Sequence, residues 1–95
     1  MILTETARNR NELQVKVSGH ANSAPKGQDL VCCAVSVLTQ SLGLNAGRAH
    51  IYDHESFLKM VMPNNQHNQT LFDAYLASMR VLANQYPDFI TLKEV

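Results

Sequence analysis

The sequence lacks any excess of charge: eight Lys and Arg face eight Asp and Glu, so the formal net charge is zero. A chain without a basic balance has no large electrostatic footprint for nucleic acid or a membrane surface. No basic stripe with interleaved aromatics runs along the sequence either, so no direct nucleic-acid partner is predicted. Long apolar runs are missing. None approaches the roughly 20 residues needed to span a bilayer, and no membrane partner is expected. Met1-Ile2-Leu3-Thr4-Glu5-Thr6 has no basic segment followed by an apolar one, so no signal peptide is read. Cysteines number two and are adjacent, Cys32 and Cys33. Neighbours make a strained disulfide, and free thiols in a reducing cytoplasm fit best. A metal site from His20, Cys32 and Cys33 would lack the paired C-x-x-C or H-x-x-x-H spacing of zinc sites. No metal and no cofactor are expected.

What is present suffices for one small domain spanning residues 1–95, with a single core and a modest stability margin. Met1 to Ala7 reads as a strand with Ile2, Thr4 and Thr6 on one face. A polar turn, Arg8 to Asn11, leads to a second strand from Glu12 to Ser18. There Leu13, Val15 and Val17 alternate with Gln14, Lys16 and Ser18. Gly19 to Gln28 is a loop punctuated by Gly19, Pro25 and Gly27. Asp29 reads as the N-cap of a helix from Leu30 to about Leu42, ended by Gly43. Val31, Val35, Leu38 and Leu42 share one face. Leu30, Ala34 and Val37 widen that stripe, so the helix is expected to be buried on most of its girth.

Arg48 to Asp53 reads as a third strand, with a turn after it, and Phe57 to Met62 as a fourth. Asn64 to Asn68 reads as a polar loop. Gln69 to Gln85 carries the strongest helical stripe: Phe72, Tyr75, Leu76, Met79, Leu82, Ala83 and Tyr86. Phe89 to Val95 closes the chain as a short strand, with Ile90 and Leu92 inward. The order ββαββαβ predicts an α+β two-layer sandwich: a mostly antiparallel sheet with both helices on one face.

Chemistry concentrates around the first loop. With Asp29 as cap, Cys32 falls in the first helical turn. Unpaired N–H groups and the positive end of the helix dipole there favour thiolate, which is the nucleophile. The competing reading of Cys32 is a small buried hydrophobe. Cys33, one residue deeper, points away and is expected to pack against core or sheet. His20, at the other lip of the loop, is twelve residues from Cys32 and suits a base that takes a thiol proton and returns it to a leaving amine. Asp29 either only caps the helix or also orients His20. Ser36, one turn after Cys32 on the same face, reads as a nearby hydrogen-bonding group or a small packing residue. His50 and His54 share no helical face, and with His67 are read as surface residues.

Gly19-His20-Ala21, Gly27, Asp29, Val31-Cys32 and Ala34-Val35-Ser36 resemble the ribosomal-processing cysteine protease family (Prp-like). The ending from Leu82 to Ile90 is similar as well. Cys33 stands where the family usually has alanine, and the separation from His20 selects Cys32. The resemblance implies a small α+β cytoplasmic protein, usually a homodimer. It would remove the N-terminal extension of large-subunit ribosomal protein twenty-seven. It implies Cys32 as nucleophile, His20 as general base and acid, and the loop from Ala21 to Gln28 as a mobile cover over substrate. Helix-start N–H groups would hold the oxyanion. Against this stand a non-enzymatic ribosome-associated binding module, whose cysteine is core, and a thiol-based redox or metal sensor.

Overall fold

The structure, a computed structural model, describes residues 1–19 and 26–95, with the backbone alone for 26–29. The elements follow the expected order. They are β1 (Ile2–Arg8), β2 (Glu12–Ser18), α1 (Lys26–Asn45), β3 (His50–Asp53), β4 (Phe57–Pro63), α2 (Gln66–Gln85) and β5 (Ile90–Glu94). The five strands form one sheet in the order β3-β4-β2-β1-β5. Among the described residues only the β1–β5 pair is parallel.

Alternation decides which side of the sheet is buried. Ile2, Thr4 and Thr6 of β1, Leu13 and Val15 of β2, Met60 and Met62 of β4 and Ile90 of β5 are buried on one face. The two helices cover them with Val31, Val35 and Leu42 from α1 and Phe72, Tyr75, Leu76 and Met79 from α2. Each of these side chains contributes roughly 1.5–3 kcal/mol of hydrophobic stabilisation when fully buried. The helices also share a buried hydrogen bond, Thr39 Oγ1 to Tyr75 Oη at 2.9 Å. Burial pushes the Tyr75 phenol above its ordinary pKa, and the Thr39 bond partly offsets that.

Four details depart from the sequence reading. The first helix begins at Lys26, not after Asp29, so Asp29 lies inside it rather than capping it. Gly43 does not end α1, which continues to Asn45. It sits where the helix crosses the sheet: a Cβ there would lie 2.8 Å from Met60 Cε and 3.1 Å from Ile51 Cδ1. Leu30 and Val37 are 73% and 59% exposed, so α1 is buried on one side only. Finally, α2 starts at Gln66. Asn65 is its N-cap and accepts from the Asn68 amide at 2.8 Å, so the expected polar loop is already helix.

One buried group is unpaired. Thr4 is fully buried, and its hydroxyl finds no hydrogen-bond partner among the described residues. An unmade buried hydrogen bond costs about 1–3 kcal/mol. Thr4→Val keeps the shape and removes the hydroxyl. It is expected to raise the melting temperature by roughly 4–8 °C for about 1 kcal/mol gained, read by thermal denaturation.

Candidate active site

The end of β2, the start of β1, the start of β4 and the first turns of α1 meet at one end of the sheet. They enclose a cleft of about 240 Å³ lined by Gly19, Cys32, Ser36, Val17, Leu58 and the β3–β4 turn from Asp53 to Phe57. Cys32 is half-buried at its wall and Ser36, one turn on, lines the same cleft. Val31 and Val35 anchor this part of the helix in the core, which fixes the direction in which Cys32 is presented.

Cys33 behaves otherwise than expected. The step of about 100° per helical residue carries it off the sheet side. It is exposed and lines a groove between the helices with Leu30, Val37, Val81 and Leu82. The two thiols therefore open onto different surfaces.

Because α1 begins at Lys26, Cys32 is the seventh helical residue. The helix rises about 1.5 Å per residue, which puts it about 9 Å from the helix start. Dipole effects fade within the first turn, so the expected first-turn activation of Cys32 lacks its geometry. The amides left free at the helix start belong to residues 26–29, not to Cys32. His20 and residues 21–25 lie outside the described residues, as do the side chains of Gln28 and Asp29. Gly27 lies within α1 rather than in the loop.

Gly19 brings the chain to His20. Its φ of 91° is a left-handed value, and a Cβ would lie 2.2 Å from the Met1 carbonyl oxygen. Only glycine fits this approach. Gly19→Ala is expected to displace the β1–β2 end of the cleft and cost at least about 1–2 kcal/mol from the backbone conformation alone. Thermal denaturation of the variant measures that loss.

The turn expected after β3 is present, but its place at the cleft is not part of the sequence reading. Asp53, His54, Glu55 and Ser56 line the cleft with Cys32, and the His54 ring lies 4.6 Å from that of Phe57. His54 and His50 are exposed surface residues as expected, but His54 is on the rim of the site. No local motif marks it. Only the pairing of Phe57 with Ser18 brings the turn beside Gly19. His67 is not in a loop: it lies in the first turn of α2 and its Nε2 is 2.9 Å from the Asn45 carbonyl. No group of three or more His, Cys, Asp and Glu among the described residues is placed to hold a metal ion. No helix among them is long and apolar enough to cross a membrane.

No curated protein matches the chain in sequence. Among solved structures, SMU.848 from Streptococcus mutans is 27% identical with a TM-score of 0.79, covering all of this chain and 94% of that one. The essential ribosomal processing protease Prp from S. aureus superimposes over the full length of both chains. Its complex with a covalently linked product peptide gives a TM-score of 0.83 at 20% identity. Its complex with a substrate peptide gives 0.81 at 24%. The family model described as cysteine protease Prp matches residues 1–91, which include the cleft, α1 and α2. The chain thus belongs to the Prp family of cysteine proteases.

Proposed function

We propose that this cysteine protease removes the N-terminal extension of large-subunit ribosomal protein twenty-seven, with Cys32 as nucleophile and His20 as general base and acid. The observation that carries the assignment is the divergence of the two thiols. Cys32 opens into the cleft at the sheet end, while Cys33 faces the groove between the helices. The S. aureus protease of the same fold, solved with substrate and product peptides, supports a peptide substrate.

The chemistry is acyl transfer. His20 takes the Cys32 proton, and the sulfur attacks the scissile carbonyl. The C–N bond breaks as His20 returns the proton to the leaving amine. Water then adds to the thioester with its proton passing to His20, and the C–S bond breaks to restore the thiol. Since the helix dipole does not reach Cys32 effectively, His20 is the group that activates it. Gly27 and Asp29 lie in the first turn of α1, ahead of Cys32, and Ser36 borders the bound peptide. Of the proposed cover from Ala21 to Gln28, residues 26–28 belong to α1. The β3–β4 turn forms the opposite wall.

The same reading makes the protein a cytoplasmic homodimer. The exposed apolar groove lined by Leu30, Val37 and Val81 supports self-association. The test of the function is a synthetic peptide spanning the extension junction of the ribosomal protein, incubated with the purified chain. One cleavage, at the junction, is expected. An intact peptide with folded protein would refute the substrate.

A further inference from the structure

Among the described residues, the helices cover one face of the sheet and leave the other open. Strand register assembles on that open face what the sequence order disperses. Lys93 pairs with Glu5, Glu5 with Lys16, Lys16 with Lys59, and Lys59 with Tyr52. One row thus crosses all five strands and carries three lysines, one carboxylate and an aromatic ring. In the adjacent row Phe57 stands diagonal to Lys16, whose Nζ lies 4.8 Å from the ring centroid. On the other side His50 faces Val61 and borders a depression also lined by Arg10, Arg48 and Glu12.

Glu5 faces Lys16 and Lys93 across the strands, whereas Lys59 faces only Lys16 and Tyr52. Lysines directly opposite each other across a strand pair are destabilising. The ion pairs among the described residues are Arg8–Asp73 and Arg80–Glu94, so Lys16, Lys59, Lys93, Arg10 and Arg48 are left without a carboxylate partner there. Tyr52 is 50% exposed at the end of the row. Positive charge tracking across a sheet face, with an exposed ring on which a base can stack, is the chemistry that holds a single nucleic-acid strand.

We propose that the open sheet face binds single-stranded RNA, with Lys16, Lys59 and Lys93 on phosphates and Tyr52 stacking a base. The choice of RNA over DNA rests on the proposed function, since a ribosomal protein is by nature a partner of RNA. The row is continuous, through Phe57, with the rim of the cleft at Cys32. An RNA strand held there would lie beside the bound extension, and the protease would recognise its substrate together with the RNA around it.

The test is fluorescence anisotropy with a labelled 12-nucleotide single-stranded RNA of mixed sequence, across a salt series, alongside junction-peptide cleavage. The double variant Lys16→Gln/Lys59→Gln is expected to weaken binding about tenfold or more and to reduce the log–log salt slope by about 1.4, for two phosphate contacts at about 0.7 each. Tyr52→Ala is expected to weaken binding about fivefold or more through lost stacking. Both variants should cleave the free peptide normally, and Cys32→Ala should bind RNA normally, so failure of the cleavage assignment reads out separately. Unchanged RNA affinity in both variants would overturn the proposal. So would tighter binding to single-stranded DNA or duplex RNA, or equal binding to a polyglutamate peptide with Tyr52→Ala neutral.

Discussion

Cys32→Ala is expected to lower cleavage of the extension peptide by at least about 10³-fold, the scale on which removing a covalent nucleophile acts. Cys33→Ala should leave cleavage largely intact, because that thiol is on the outer side of α1 with Leu30 and Val37, away from the cleft. His20→Ala should cost about 10²–10⁴-fold, the range of a general acid–base group. Both cysteine variants should keep the wild-type melting temperature closely, since neither side chain is fully buried. The comparison therefore separates chemistry from folding. If Cys33→Ala in a folded protein abolishes cleavage and Cys32→Ala does not, the assignment is wrong.

The largest effect on stability is expected at Asn68. Its side chain is fully buried and fully bonded. Oδ1 accepts from the Gly47 amide at 2.8 Å, and Nδ2 donates to the Gly47 carbonyl at 3.0 Å and the Pro63 carbonyl at 2.9 Å. One amide thus ties the end of β4 and the α1–β3 connection to the first turn of α2. Asn68→Ala leaves an N–H and two carbonyls to find new partners, at about 1–3 kcal/mol for each that stays buried and unsatisfied. A loss of about 3 kcal/mol or more is expected, lowering the melting temperature by roughly 15 °C. Asn68→Asp should not rescue it, because a carboxylate keeps the acceptor but turns its other oxygen towards two carbonyls. Chemical denaturation of the three proteins measures the difference. A loss well under 1 kcal/mol in Asn68→Ala would show that the network does not hold this corner.

Asn68 also shows why part of the fold was hidden in the sequence. Alternation in β1 and β2 and the Phe72–Met79 stripe are local patterns, and they located the strands, the second helix and the buried face. Asn64 to Asn68 has no apolar period. Asn68 is held by the Gly47 and Pro63 backbones, 21 and 5 residues away, so a polar run that reads as a loop is the first turn of a helix. The start of α1 was displaced for a similar reason. Asp29 has the chemistry of a cap, but the helix already runs from Lys26. Leu30 and Val37 looked like core because they are apolar at helical spacing, yet one face of α1 is enough to cover the sheet and they remain outside.

The site divides in the same way. Cys32 and Ser36 share a helical face by spacing alone and do line one cleft. The His54 turn and the lysine row across the open sheet depend on register between strands far apart in sequence. No linear motif could announce either.

The central claim is that Cys32 is the acylated residue. It is tested most directly by trapping it with a peptide chloromethyl ketone bearing the extension sequence up to the cleavage junction. Intact mass and peptide mapping then locate the adduct. One adduct per chain is predicted, on Cys32, formed more slowly in His20→Ala and absent in Cys32→Ala. An adduct on Cys33, or none on a folded protein whose exposed Cys33 still reacts with iodoacetamide, would contradict it.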